Sequence, residues 1–364
     1  MDTSDPWIRF DGDGHCNHCN DFLTIRANLL NRQEGTGALG QLFKQVTAKG
    51  RGKKYDCVIG MSGGVDSSYV AVLAAEQGLR VLAVHLDNGW NSPVAVENIN
   101  KLVKRLGFGY ASLVLPWSDF KKVQVSFLRA SVPEAETPTD VAIQRAVFGE
   151  ASRHGVRYIL SGGNLASEGI LPACWHYNAR DTRYSYAVLD AANCPRKHFS
   201  SLKFGWPEEI YYRGVRGIRT LYPLNAINYD KAAARKRLET DFDWKYYGSK
   251  HGESKFTRFV QTYYLPKKHG IDYRRATLSS ELCLGVVSRT AALEVLSTSP
   301  YDPSTIGSEQ KFIAKKLGLG DEELEEIIRL PPKYYRDYAN DEQFLSKLYD
   351  LYRWFYRKPK TSNF

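Results

Sequence analysis

Between residues 55 and 164, short apolar runs alternate with amphipathic stretches in a regular order. Residues 57–61 are apolar and lead into Ser62-Gly63-Gly64-Val65-Asp66-Ser67-Ser68. Residues 69–77 then read as a helix stopped by Gly78, and a second apolar run, 79–86, ends at Asp87-Asn88-Gly89. Strand, Gly-rich turn, helix and strand form a βαβ unit, which implies parallel pairing. Ser92 and Pro93 read as the cap and first position of a helix reaching about residue 106. A strand over 110–115, a helix over 139–154 and a strand over 157–160 follow, the last ending in a second Gly-rich turn, Ser161-Gly162-Gly163-Asn164. The alternation predicts an α/β fold with a doubly wound, mostly parallel sheet, whose ligands bind beyond the carboxyl ends of the strands.

The pattern changes on either side. Residues 1–50 read as a small polar module with a CxxC pair and a helix over 22–30. Residues 165–225 are irregular and rich in aromatics and Arg, which predicts a long insertion rather than packed elements. From residue 229 the period is helical, over 229–241, 252–265, 278–297, 308–316, 320–329 and 341–357. The expected division is a module over 1–50, an α/β domain with its insertion over 51–225, and a helical region over 226–364.

The first Gly-rich turn carries the clearest chemistry. Gly63 and Gly64 let backbone N–H groups curl around an anion, Ser62, Ser67 and Ser68 add hydroxyls, and the following helix points its positive end at the same place. The loop therefore suits a pyrophosphate. It lacks the Lys of a Walker A loop and is not GxGxxG. Asp66 would repel bare phosphate and implies a bridging Mg²⁺. An ordinary capped helix start would need neither the Gly pair nor the Asp. His85-Leu86-Asp87 and Ser161 to Asn164 end neighbouring strands and are candidates for the same ligand. Glu168, Arg180, His251, Glu253 and Arg258 lie in polar stretches that suit either a substrate or a solvated surface. Lys255 could neutralise pyrophosphate.

Composition narrows this little. The formal charge of +10 and the 23 tyrosines suit nucleic acid or a phosphorylated small molecule equally. No run approaches a membrane span and the first 20 residues resemble no leader, so a cytoplasmic protein is expected. Six cysteines at irregular spacing fit a reducing compartment. Cys16 and Cys19 supply only two ligands of a structural zinc site, while Cys57 reads as core and Cys174, Cys194 and Cys283 as scattered and inert.

Ser62 to Ser68 resembles the SGGxDS loop of the PP-loop ATP pyrophosphatases, which cleave ATP to AMP and pyrophosphate. MDTSDPWIRFDGDGHCNHC, HLDNGWNS, TPTDVAI, ILSGGNLASEGI and GSKHGESKFTRFVQTYYLPKKHGIDYRRATLSSELC narrow the resemblance to the N-acetyl sugar amidotransferases of surface-polysaccharide, O-antigen or nonulosonate synthesis. The resemblance implies an ATP-dependent carbon–nitrogen ligase that turns the acetamido group of an N-acetylated, nucleotide-linked sugar into an acetamidino group, using ammonia from a separate glutaminase subunit. It implies ATP contacts at Gly60, Met61, Ser62, Gly63, Gly64, Val65, Asp66, Ser67, Ser68, His85, Leu86, Asp87, Ser161, Gly162, Gly163 and Asn164. Catalytic roles fall to Asp66, Ser67, Asp87 and Lys255. The sugar would meet Trp90, Asn91, Asp140, Glu168, Arg180, His251, Glu253 and Arg258. The cofactors implied are ATP, Mg²⁺ at Asp66 and zinc. Family chains carry a further CxxC upstream, so Met1 is expected to be an internal methionine and Cys16–Cys19 an incomplete zinc site. Two alternatives are a tRNA-modifying PP-loop enzyme, which the charge favours, and a non-catalytic nucleotide sensor.

Overall fold

The computed structural model describes residues 1–32, 37–248 and 252–356. Its centre is a five-stranded sheet, β1 (Cys57–Gly60), β2 (Val81–Asp87), β3 (Gly109–Val114), β4 (Tyr158–Leu160) and β5 (Arg219–Leu221), in the order β3-β2-β1-β4-β5. Every pairing is parallel. The predicted α/β class and doubly wound parallel sheet are therefore found. The chain leaves β1 to one side to build β2 and β3, then returns to its other side for β4 and β5. The carboxyl ends of β1 and β4 thus stand at the reversal of strand order, the crevice where ligands bind in such sheets.

Period-two alternation supplies a core on each face. Cys57, Ile59, Val81 and Ala83 face one side, against α2 (Ala38–Gly50), α3 (Val65–Glu76) and α4 (Pro93–Leu106). Val58, Leu82 and Val84 face the other, against α5 (Trp117–Arg129) and α6 (Thr137–Arg153). Gly107 ends α4 in the left-handed region, as its position after an amphipathic run predicts.

Several elements were not foreseen. The helices α2 and α5 have no counterpart in the expectations above. The stretch read as an irregular insertion contains the helix Thr182–Ala191 and the edge strand β5. Three-residue β5 is too short for period two to register, whereas the equally brief β4 was expected, over 157–160. The helix expected over 278–297 is two, Tyr273–Leu284 and Arg289–Ser297, split where Gly285 takes a positive φ of 74°. The stretch beginning at Lys255 widens after Phe259 into a π-helix, Val260–His269, with Pro266 inside it. The amino-terminal helix α1 (Asn17–Arg32) buries Phe22, beside which Gly169 has no room for a Cβ. Arg26 donates to the Cys283 carbonyl and Asp2 pairs with Arg275, so residues 1–32 lie against Tyr273–Leu284.

Candidate active site

The phosphate loop closes on itself. Gly63 has a φ of +80°, and a Cβ there would fall 2.6 Å from the Ala95 carbonyl oxygen, so only glycine fits. The Gly64 N–H donates to Ser62 Oγ at 3.2 Å, and Ser62 Oγ and Ser67 Oγ are 3.2 Å apart. These hydroxyls stand at the amino end of α3, where an anion is favoured. Ser68 is different. It is buried, and its hydroxyl meets no partner, so it belongs to the core side of α3 rather than to a ligand.

The second Gly-rich turn presses against the first. A Cβ on Gly162 would lie 2.7 Å from Ser67 N. Gly162 is thus required by the approach of two backbones. Ser161 Oγ accepts from Gly163 N, and Asn164 caps the next helix by accepting from Ser167 N at 3.0 Å. Ser161 and Gly162 line the cavity; Gly163 and Asn164 shape the turn.

Two groups far along the chain reach the loop. Lys231 Nζ donates to Asp66 Oδ2 at 2.8 Å, and the Tyr229 hydroxyl donates to Asp66 Oδ1. Burial works against the Lys231 charge, but Asp66, Glu168 and Glu253 hold its ammonium above the usual lysine range. Glu253 stands over the loop itself: a Cβ on Gly64 would meet Tyr247 Oη at 3.4 Å and Glu253 Oε1 at 3.6 Å. Glu253, read as part of the sugar pocket, therefore adjoins the phosphate loop as well.

The crevice opens into a cavity of about 900 Å³. One side is lined by Gly60, Met61, Ser62, His85, Leu86, Ser161 and Gly162, the strand ends. His85 is fixed by its neighbours. Asn91 Nδ2 donates to His85 Nε2 at 3.1 Å, which leaves Nδ1 as the donor to the Met61 carbonyl at 2.9 Å. The other side is lined by Glu134, Glu136, Asp140, His176, Arg180, Thr257 and Tyr273. Its carboxyls are held toward their neutral forms. Burial, reinforced by Asp140, drives Glu134 well up. Burial pushes Glu136 up to about 8, against the lowering effect of the bond from Thr257. Asp140 is open to cavity water but ringed by protein, which pushes it up to about 6 while Arg180 pulls the other way. One Glu136 oxygen accepts from Thr257 Oγ1, and the other has no partner.

Other expected site residues lie elsewhere. Trp90 is core: it is 1% exposed, donates to Gln124 and stacks on Phe256 at 5.1 Å. Asp87 caps its own turn by accepting from Gly89 N at 2.9 Å. Lys255 is exposed, its Nζ 4.4 Å from the centre of the Phe312 ring, outside the cavity lining. Arg258 pairs with Glu309 at 2.6 Å. Val65 is buried beneath the loop. Glu168 stands close enough to influence Lys231. Asn91, Asp140 and Arg180 do line the cavity, and His251 lies outside the described residues. Lys231, Tyr229, Glu134 and Glu136 were missed. The first two sit more than 160 residues from the loop they serve; the acidic pair precedes Thr137 in the same stretch as Asp140 and was legible there.

The zinc expectation is not supported. Cys16 Sγ and Cys19 Sγ are 3.3 Å apart, and Cys283, read as inert, bonds Cys19. Among the described residues no group of three or more His, Cys, Asp or Glu is arranged to hold a metal ion. Mg²⁺ at a single carboxylate and substrate phosphates needs no such cage. Asp66 fits that role by position: its carboxylate stands at the phosphate loop, where it now accepts from Lys231 and Tyr229.

Comparison with known proteins agrees with this geometry. Residues 55–126 match the family model described as tRNA methyl transferase HUP domain, and residues 253–353 match LPS biosynthesis protein WbpG-like, C-terminal domain. A curated protein, tRNA-specific 2-thiouridylase MnmA 2 of Fusobacterium nucleatum, is 29% identical over 112 residues, 29% of this chain and 32% of that protein. The chain thus spans about a third of the length of the curated relative it matches. Among solved structures, NMN synthetase from Francisella tularensis is 13% identical, covering 59% of this chain and 97% of that one, with a TM-score of 0.31. The U34-tRNA thiolase NcsA from Methanococcus maripaludis is 16% identical, covering 69% and 81%, with a TM-score of 0.32. The likeness to known families is thus one of two separate stretches of the chain, a HUP-type domain over 55–126 and a WbpG-like C-terminal domain over 253–353. The order of the two matches, the HUP-type stretch first and the WbpG-like stretch behind it, is in keeping with the resemblance to the N-acetyl sugar amidotransferases.

No helix among the described residues is long and apolar enough to cross a membrane.

Proposed function

We propose that the chain is an ATP-dependent amidotransferase that converts the acetamido group of a nucleotide-linked N-acetyl sugar into an acetamidino group, in the synthesis of a surface polysaccharide. The observation that carries the reading is a pyrophosphate loop opening onto a cavity whose far wall is carboxyl, hydroxyl and imidazole, in a chain with a WbpG-like domain. An amide resists attack by ammonia because its oxygen leaves poorly. Transfer of AMP to that oxygen removes the obstacle. The acetamido oxygen attacks the α-phosphorus, the α–β bond breaks and pyrophosphate leaves. Ammonia then adds to the imidate carbon, and AMP departs with the original oxygen.

The residues divide this work. Ser62, Ser67 and the amides of 63–65 hold the terminal phosphates. Lys231 turns from Asp66 to the leaving pyrophosphate. Mg²⁺ held at Asp66 would neutralise charge on the same group. Arg180 and Asn91 orient the acetamido sugar between the two walls. In its ionised form, reached as pH rises through about 8, Glu136 takes the proton that ammonium must lose before it attacks. The nitrogen comes from a separate glutaminase, so the purified chain makes product from ammonium and needs a partner with glutamine.

The test is to incubate the chain with Mg-ATP, ammonium and a panel of nucleotide-linked N-acetyl sugars. A product about one mass unit lighter is expected, NH having replaced O. Retention of tRNA, with ATP cleaved only in its presence, would favour the tRNA-modifying alternative instead.

A further inference from the structure

Behind the acceptor wall lies a buried carboxylate that the reaction above leaves unused. Glu209, in the helix Trp206–Ile210, is 8% exposed and is not part of the cavity lining. Three groups converge on it: Arg213 Nε donates to Oε1 at 2.8 Å, the Tyr349 hydroxyl donates to Oε2 at 2.6 Å, and Arg180 Nε faces Oε2 in an ion pair at 3.2 Å. A carboxylate taken out of water is tolerated only with partners of this kind. The same helix grips Arg180 by its backbone, because the Arg180 carbonyl accepts from Trp206 N at 3.1 Å. The packing there is close: a Cβ on Gly205 would lie 2.2 Å from Thr182 Oγ1 and 3.4 Å from the Arg180 carbonyl oxygen. Arg180 is therefore fixed at both its main chain and its side chain by one short element.

The cavity shows why that grip matters. Among the described residues that line it, Arg180 is the one Lys or Arg, and it shares the space with Glu134, Glu136, Asp140 and Glu253. It stands close enough to Asp140 to draw that carboxyl down. Asp140 is thus a competing partner inside the cavity, and a guanidinium paired with it is lost to a ligand. Glu209 engages Nε from outside the cavity, which leaves the two Nη groups for the acceptor. Tyr349 comes from the C-terminal helix Glu342–Tyr356, and Asn178, which lines the cavity two residues before Arg180, bonds the same hydroxyl.

We infer that Glu209 is a positioning residue for the acceptor: it keeps Arg180 turned to the sugar rather than to Asp140, and Tyr349 fixes Glu209, so that the C-terminal helix sets acceptor affinity. The inference rests on the proposed acetamido-sugar acceptor. It is tested by steady-state kinetics of the full chain with Mg-ATP, ammonium and the N-acetyl sugar that it turns over. Glu209→Gln should raise the acceptor KM on the order of tenfold and leave the ATP KM unchanged, the pattern of lost substrate binding. Tyr349→Phe should shift the acceptor KM the same way by a smaller factor; it removes one hydroxyl and no charge, and it carries the test if Glu209→Gln does not fold. Arg180→Met should raise the acceptor KM at least as far, and adding Glu209→Gln to it should raise it no further, because the carboxylate acts through that side chain. A carboxylate with a purely structural role would lower the Tm and leave the acceptor KM in place. An unchanged acceptor KM in Glu209→Gln and Tyr349→Phe, an equal rise in the ATP KM, or a further rise in the double variant would overturn the inference while the unaltered chain still makes amidine. If the unaltered chain turns over no N-acetyl sugar, the amidotransferase reading fails and this assignment falls with it.

Discussion

At the scale of single residues, the serines of the phosphate loop and the lysine that reaches it make different demands. Ser67 faces the loop, whereas Ser68 is enclosed with no partner. Ser67→Ala should therefore slow pyrophosphate release, while Ser68→Ala should leave it unchanged and leave stability equal or slightly higher, because an unpaired buried hydroxyl contributes nothing favourable. Lys231→Met should reduce pyrophosphate release on the order of 100-fold, the loss expected for a preorganised charge. An equal loss in Ser67→Ala and Ser68→Ala would contradict this division. The carboxyl wall has a thermodynamic signature too. Glu136 titrates at about 8 in the fold against 4.5 as its ordinary value. Between those values the folded chain holds a proton that the unfolded chain has released, so stability falls as pH rises across that window. Glu134 and Asp140, both raised, slope the same way. Glu136→Gln should flatten part of the decline in a series of melting curves, and an unaltered slope would count against the burial of that carboxyl. What was legible at this scale was local. Asp66 and Ser67 announce themselves because six adjacent residues carry the whole motif. Lys231 and Tyr229 have no such context, since only folding brings them to Asp66. Trp90 and Asp87 were misjudged for a related reason: proximity in sequence to a strand end does not say which face a side chain takes.

At the scale of elements, the strands with long apolar runs and the helix with a Ser-Pro start were readable, because period and cap agree with the tertiary setting. The three-residue edge strand β5 was not, and neither was the change from α to π winding after Phe259. The site depends on both, since Val260 and Gln261 of the π segment line the cavity. Two glycines show how contact rather than conformation decides tolerance. Gly162→Ala should disrupt ATP binding and lower the Tm, because its Cβ meets the backbone of Ser67. Gly149→Ala, in the middle of α6 with open space around it, should be neutral or stabilising. Comparable losses at the two positions, measured by thermal unfolding and ATP titration, would refute the packing argument. Arg258 joins the segment after Ser254 to the helix Ile306–Leu317 through Glu309. Arg258→Ala and Glu309→Ala should each lower the Tm, and the double variant should fall short of their sum. A strictly additive pair would show that Arg258 acts elsewhere.

At the scale of the whole molecule, the strand order places the crevice where the sheet reverses, and the WbpG-like region supplies part of its far wall. The phosphate loop belongs to residues 55–126, whereas Glu253, Thr257 and Tyr273 belong to residues 253–353. Two stretches matched to different families thus meet at a single cavity, with residues 133–180 between them supplying Glu134, Glu136, Asp140, His176 and Arg180. The net charge of +10, which as composition suits RNA and phosphorylated substrates alike, is not expressed on the acceptor wall, where carboxyls prevail. The proposed chemistry has a direct signature in the fate of one atom. An acceptor labelled with oxygen-18 in its acetamido carbonyl should, after turnover with ammonium and Mg-ATP, transfer that label to AMP, read by mass spectrometry of the nucleotide. Label recovered in AMP at the stoichiometry of the amidine is the expected result. AMP free of label, or ADP and phosphate in place of AMP and pyrophosphate, would contradict adenylation of the acetamido oxygen.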